Sequence, residues 1–88
     1  MTREELEEIY EWREGEFTSE DEKNSTITIN FLINREPLTV HFSEFCQSNG
    51  VIEVWDNNNQ DIEEFIPASI ISSIGVKFTN PKDHIISW

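Results

Sequence analysis

Apolar residues recur at every second position through the middle of the chain. Ile27, Ile29, Phe31 and Ile33 alternate with Thr26, Thr28 and Asn30, so a strand over 26–33 turns one face to a core and the other to water, with Leu32 breaking the polar side. Asn34-Arg35-Glu36-Pro37 supplies turn chemistry, and Leu38, Val40 and Phe42 alternate with Thr39 and His41, which predicts an antiparallel hairpin with a second strand at 38–42. A second hairpin joins strands at 51–55 and 61–66 across the polar tip Asp56-Asn57-Asn58-Asn59-Gln60. A third joins 76–79 and 84–88 across Asn80-Pro81-Lys82-Asp83. Two stretches do not alternate. Ser43–Gly50 opens on a capping residue and closes on Asn-Gly, which reads as one or two helical turns or a wide loop with Phe45 and Cys46 tucked under the sheet. Pro67–Ser73 suits a short helical turn, the alternative being a bent strand through Ile70 and Ile71.

The first residues follow a different period. Thr2 and Glu5 fit a capping box, and Leu6, Ile9, Tyr10, Arg13 and Phe17 recur at three- and four-residue steps, so a helix is predicted over 3–14 with Gly15 as its stop and Phe17 just beyond. On that helix Trp12 falls about 120° from the centre of the apolar face, at its edge against a loop or the sheet margin, or else as an exposed anchor for a partner. The fold class is therefore α+β: an N-terminal helix packed on a small antiparallel sheet or open barrel of five to six strands. One domain spans 1–88, with the helix and its end at 1–17, an acidic connection at 18–24 and a β-meander at 25–88. Ile29, Phe31, Val40 and Val54 are the expected core. A helix ahead of a five-stranded meander is similar to the order of elements in Sm-like and other small barrel folds; the likeness is one of architecture, and no motif of that family is present.

Charge changes the picture most. Eighteen acids against six lysines and arginines give a net charge of -12. Residues 1–24 carry ten acids against Arg3, Arg13 and Lys23, a net of -7, and the remainder carries eight against three, a net of -5. Glu4, Glu7, Glu8, Glu11 and Glu14 form one helical stripe in which like charges are neighbours, and Glu14 and Glu16 crowd the negative end of the helix dipole. A face shaped for solubility alone usually mixes signs; here repulsion is retained. Nucleic acid and anionic membrane would repel such a chain, so the expected partner is a basic surface of another protein. A single cysteine, no apolar leader and no apolar run near the roughly 20 residues of a membrane span point to a cytoplasmic protein.

Candidate chemistry is sparse. His41 and Cys46 lack a third orienting group, and His41 falls on the polar side of its strand. His84 reads as a surface residue beside Asp83. Asp56, Asn58, Gln60 and Asp61 invite a calcium loop, but the glycine and the bidentate glutamate that such a loop needs are replaced by Asp61 and Pro67. Glu63 and Glu64 point to opposite faces of a strand unless a bulge intervenes. Gly15, Gly50 and Gly75 are isolated and make no phosphate loop. The expectation is a non-catalytic protein-binding module with no cofactor and no metal. Its partner-facing residues are Glu7, Glu11, Trp12, Glu14, Glu20, Asp21 and Glu22. In size and charge the chain is similar to small phage-encoded inhibitors of host defence, anti-CRISPR and anti-restriction proteins that imitate nucleic acid, which implies an inhibitor of a nucleic-acid-binding protein. The alternatives are a homo-oligomer built by pairing of an exposed edge, strand 26–33 or the last strand, and a small-ligand binder that stacks a base on Trp55 or Trp88.

Overall fold

One helix precedes seven strands in the computed structural model, which describes residues 1–16, 24–56, 58–78 and 85–87, with the backbone alone at 13, 14, 16 and 85–87. In chain order these are α1 (Arg3–Glu16), β1 (Ser25–Phe31), β2 (Leu38–His41), β3 (Phe45–Ser48), β4 (Val51–Asp56), β5 (Asp61–Pro67), β6 (Ile71–Phe78) and β7 (Ile85–Ser87). The α+β class holds, but the strands divide into two antiparallel sheets instead of one meander. The first has the order β2-β1-β6-β7 and the second β3-β4-β5. Two 3-10 corners carry the chain between them: Phe42–Glu44 links β2 to β3, and Ala68–Ile70 links β5 to β6. One core is shared by Ile27, Ile29, Ile74 and Val76 from the first sheet, Phe45, Ile52, Val54 and Ile66 from the second, Phe42 at the corner, and Leu6 and Ile9 from α1.

Several boundaries differ from the sequence pattern for identifiable reasons. β1 ends at Phe31, two residues short of Ile33, because its register with β6 shifts at Asn30 and Phe31. Asn30 pairs with Ser73 and Phe31 with Ile71, so Ser72 is an extra residue that bulges out. Leu32 then bonds through its N–H to the Ile70 carbonyl, and Leu32 and Ile33 are left 64% and 56% exposed. Ile29 and Val54 are buried as expected, whereas Phe31 and Val40 are only half-buried against the core.

The same bulge explains why β6 begins at Ile71 instead of Val76. Ile71 and Ile74, three apart and both fully buried, read as helical spacing in a one-dimensional pattern; skipping Ser72 brings both to the inner face of a strand. Only Ala68–Ile70 of the expected 67–73 turn is helical, and the strand alternative through Ile71 prevails. Half of Ser43–Gly50 is strand: Ser43 and Glu44 end the 3-10 corner and Phe45–Ser48 is β3. Ser48 pairs with Val51, leaving Asn49 and Gly50 as a two-residue turn with φ of 53° and 78°, the left-handed pair that Asn-Gly favours. Phe45 is buried, but Cys46 alternates away from the core.

The helix starts as its capping box requires: the Glu5 N–H donates to Thr2 Oγ1 at 3.2 Å and the Thr2 N–H to Glu5 Oε1 at 3.0 Å. These bonds hold the Glu5 carboxyl below the usual carboxylate range, the backbone bond from Thr2 first. Gly15 does not stop the helix, since its backbone stays helical and α1 continues to Glu16. The buried face is centred on Ile9 rather than between Leu6 and Tyr10: Leu6 and Ile9 are buried, Trp12 packs behind them, and Tyr10 is 47% exposed. Phe17 lies outside the described residues.

Candidate functional site

The helix face away from the core carries Glu4, Glu7, Glu8 and Glu11, all exposed. Glu14 continues the stripe along the helix backbone, its side chain outside the description, and Glu20, Asp21 and Glu22 lie outside the described residues. Arg3 is the described cation set against the stripe. Its Nε donates to Glu7 Oε1 at 3.3 Å and its Nη2 to Asn49 Oδ1 at 3.4 Å, so it ties the helix start to the β3–β4 turn while covering one acid. Glu4, Glu8 and Glu11 have no ion-pair partner among the described residues. Trp12 is half-buried, its ring edge-on to Phe42 at 6.5 Å and to Phe78 at 6.2 Å between centroids. It is part of the core margin and stays partly exposed.

Opposite charges are paired elsewhere in the fold. Arg35 lies in the β1–β2 loop and makes a bidentate pair with Glu64 of β5, at 2.6 and 2.7 Å, while its guanidinium stands 4.2 Å over the Phe31 ring. This clasp joins the two sheets. The bond from Arg35 lowers the Glu64 carboxyl below its ordinary value, and Glu64 in turn raises Arg35. The β4–β5 register shifts at Val54 and Trp55 so that Glu63 is the extra residue, and the bulge that Glu63 and Glu64 would need is present. Glu64 is nevertheless occupied by Arg35, and Glu63 points to water.

The remaining candidates separate. At the β4–β5 tip, Asp56 Oδ1 accepts from the N–H groups of Asn58 and Asn59 at 2.9 and 3.4 Å, and Oδ2 accepts from Asn59 Nδ2 at 2.8 Å. Its oxygens are engaged in holding the turn. His41 is exposed at the end of β2, where its N–H donates to Glu44 Oε1 at 3.3 Å; Cys46 sits in β3 with its Sγ 3.9 Å from the Gln47 carbonyl. His84 and Trp88 lie outside the described residues. No helix among the described residues is long and apolar enough to cross a membrane.

Register reveals a surface that sequence reading missed. With Ile52 and Val54 on the core side of β4, Val51, Glu53 and Trp55 face outward, and Glu53 stands between Cys46 on β3 and Phe65 on β5. The signal that would have found it is Asn49-Gly50: taken as a two-residue hairpin turn, it makes 45–48 a strand and fixes that row. No known protein family, curated protein or solved structure matches the chain.

Proposed function

We propose that this chain is a non-catalytic protein-binding module whose acidic helix face engages a basic surface of another protein. The supporting observation is the exposed stripe of Glu4, Glu7, Glu8 and Glu11, only one of which meets a cation among the described residues. Carboxylates at three- and four-residue spacing repel one another, so the stripe costs helix stability that a mixed face would not. The stripe points away from the core, and Trp12 stays partly exposed. Glu14, Glu20, Asp21 and Glu22 extend the same charge along the sequence.

A row of carboxylates can stand in for a row of phosphates, so the partner class that fits is a protein whose groove normally holds nucleic acid. Occupation of that groove would make the chain an inhibitor, of the kind phages deploy against host defence. The homo-oligomeric alternative draws less support: strand 26–33, expected at an edge, is β1 and lies between β2 and β6, which leaves β7 as the edge of that sheet, and the β5 edge of the other sheet carries Asp61, a bulge at Glu63 and Pro67, features that blunt strand addition. The test is capture of partners by the intact chain from lysate of its native host at low and high salt. Recovery of nucleic-acid-binding proteins that elute with salt supports the reading, and a bound set that is acidic or indifferent to salt overturns it.

A further inference from the structure

The outer faces of the two sheets obey the same alternation and differ in chemistry. On the first sheet the outward positions are polar and bonded to one another: Thr28 and Thr39 hydroxyls meet at 2.9 Å, and Asn30 Nδ2 donates to Ser73 Oγ at 3.0 Å. That is an ordinary solvated face. On the second sheet an acid, Glu53, is set beside apolar neighbours. Cys46 and Phe65 are its direct cross-strand partners, Val51 and Trp55 flank it along β4, and Ile62 stands opposite Trp55. Cross-strand neighbours on one face lie about 5 Å apart, so both direct partners of the carboxylate and both of its flanks along β4 are apolar, with Ser48, opposite Val51, the polar diagonal neighbour. Glu53 is half-buried and has no ion-pair or hydrogen-bond partner for its side chain among the described residues, while Phe65 beside it is 61% exposed.

A carboxylate flanked by apolar side chains beside exposed aromatic surface is matched by one side chain above others. Arginine offers a planar fork to the carboxylate and a flat face to an aromatic ring, and its weak hydration lowers the cost of leaving water; lysine supplies only a point charge. The chain contains its own instance of this recognition, since Arg35 pairs in bidentate fashion with Glu64 while lying over Phe31. At Glu53 the acid and the aromatic are present, and among the described residues no arginine pairs with Glu53. A second copy is a poor occupant: a twofold contact would set Glu53 near Glu53 and join two chains of net charge -12. We infer that the outer face of the β3-β4-β5 sheet is a docking site for a partner protein that presents an arginine flanked by apolar residues, with Glu53 as the charge partner and Phe65 and Trp55 as the stacking surface. This surface is independent of the acidic helix.

The test is a titration of the full chain, labelled with nitrogen-15, with the peptide acetyl-Leu-Arg-Leu-amide and its Lys and Gln counterparts, followed by amide shifts. Saturable shifts centred on Cys46, Glu53, Trp55 and Phe65, strongest for the Arg peptide, are expected. Loss of a hydrogen bond to a charged group should weaken the Arg peptide about tenfold in Glu53→Gln. Phe65→Ala, at a site exposed enough to leave the fold intact, should remove the preference for Arg over Lys. Equal affinity in Glu53→Gln, shifts centred on Glu4, Glu8 and Glu11, or concentration-dependent shifts of the same face without peptide would each overturn the inference. The two surfaces are separable in the same titration, because neutralising Glu7, Glu11 and Glu14 should leave the shifts at Glu53 unaltered.

Discussion

Replacing Ile29 by alanine tests the arrangement of the core at its centre. Ile29 is fully buried on β1, paired with Leu38 on one side and with fully buried Ile74 on the other. The substitution removes three carbons, and at about 0.8 kcal/mol for each buried carbon the transfer cost alone is about 2.4 kcal/mol. The space left between β2 and β6 is held open by the ladder on both sides, so a cavity cost adds to this and the total should reach about 3–4 kcal/mol. A domain of this size has roughly 4–13 kcal/mol in all, so the loss takes from about a quarter to nearly the whole of the stability. Urea titration at fixed salt is the assay, since guanidinium would also screen the self-repulsion of a chain at -12. Thr28→Ala, one residue away on the outer face, is the control and should cost about 1 kcal/mol or less for its exposed bond to Thr39. If Ile29→Ala costs no more than Thr28→Ala, the inner face of β1 is misassigned and the packing described above is wrong.

Three further outcomes follow from particular contacts. Glu64 is depressed in the folded chain by Arg35, so its contribution is present above its ordinary value of 4.5 and lost as pH falls through the lower folded value. The stability difference between wild type and Glu64→Gln should be full at pH 7 and vanish at strongly acidic pH; a difference unchanged down to that range would deny the clasp a role. Gly50→Ala places a side chain at φ +78°, where it also meets Arg3 Cγ at 3.3 Å, and should cost about 1–2 kcal/mol, whereas an unchanged urea midpoint would argue against the turn as described. Melting temperature should rise with added chloride, because Glu4, Glu8 and Glu11 have no ion-pair partner among the described residues and screening relieves their repulsion; a flat or falling curve would mean the acids are already neutralised.

Much of the fold is legible because alternation survives wherever one face is buried. Ile27 and Ile29, Val54, and the Thr2–Glu5 capping box all stand where the pattern puts them. What escaped it traces to bulges and corners. The extra Ser72 hides the first half of β6 behind a helical spacing, and the 3-10 corner at Phe42–Glu44 conceals that β2 turns directly into β3. Trp12 and Tyr10 exchange places because the helix face centres on Ile9, a rotation that only packing against Phe42 and Phe78 determines. The acidic stripe was visible from spacing alone. The Arg35–Glu64 clasp and the apolar neighbours of Glu53 were not, since both depend on register between strands far apart in sequence.

The claim that the helix face binds a basic partner is tested most directly by changing Glu7, Glu11 and Glu14 together to Gln, which moves the net charge from -12 to -9. Loss of the exposed Arg3–Glu7 pair costs about 0.3–0.5 kcal/mol and relief of repulsion offsets it, so circular dichroism should show the helix retained and overall stability nearly unchanged. Association with the captured partner should slow, and its rate should lose much of its dependence on ionic strength, because steering by the stripe acts on encounter more than on dissociation. Binding at the wild-type rate with an intact helix would contradict the account and leave the stripe a solvated face.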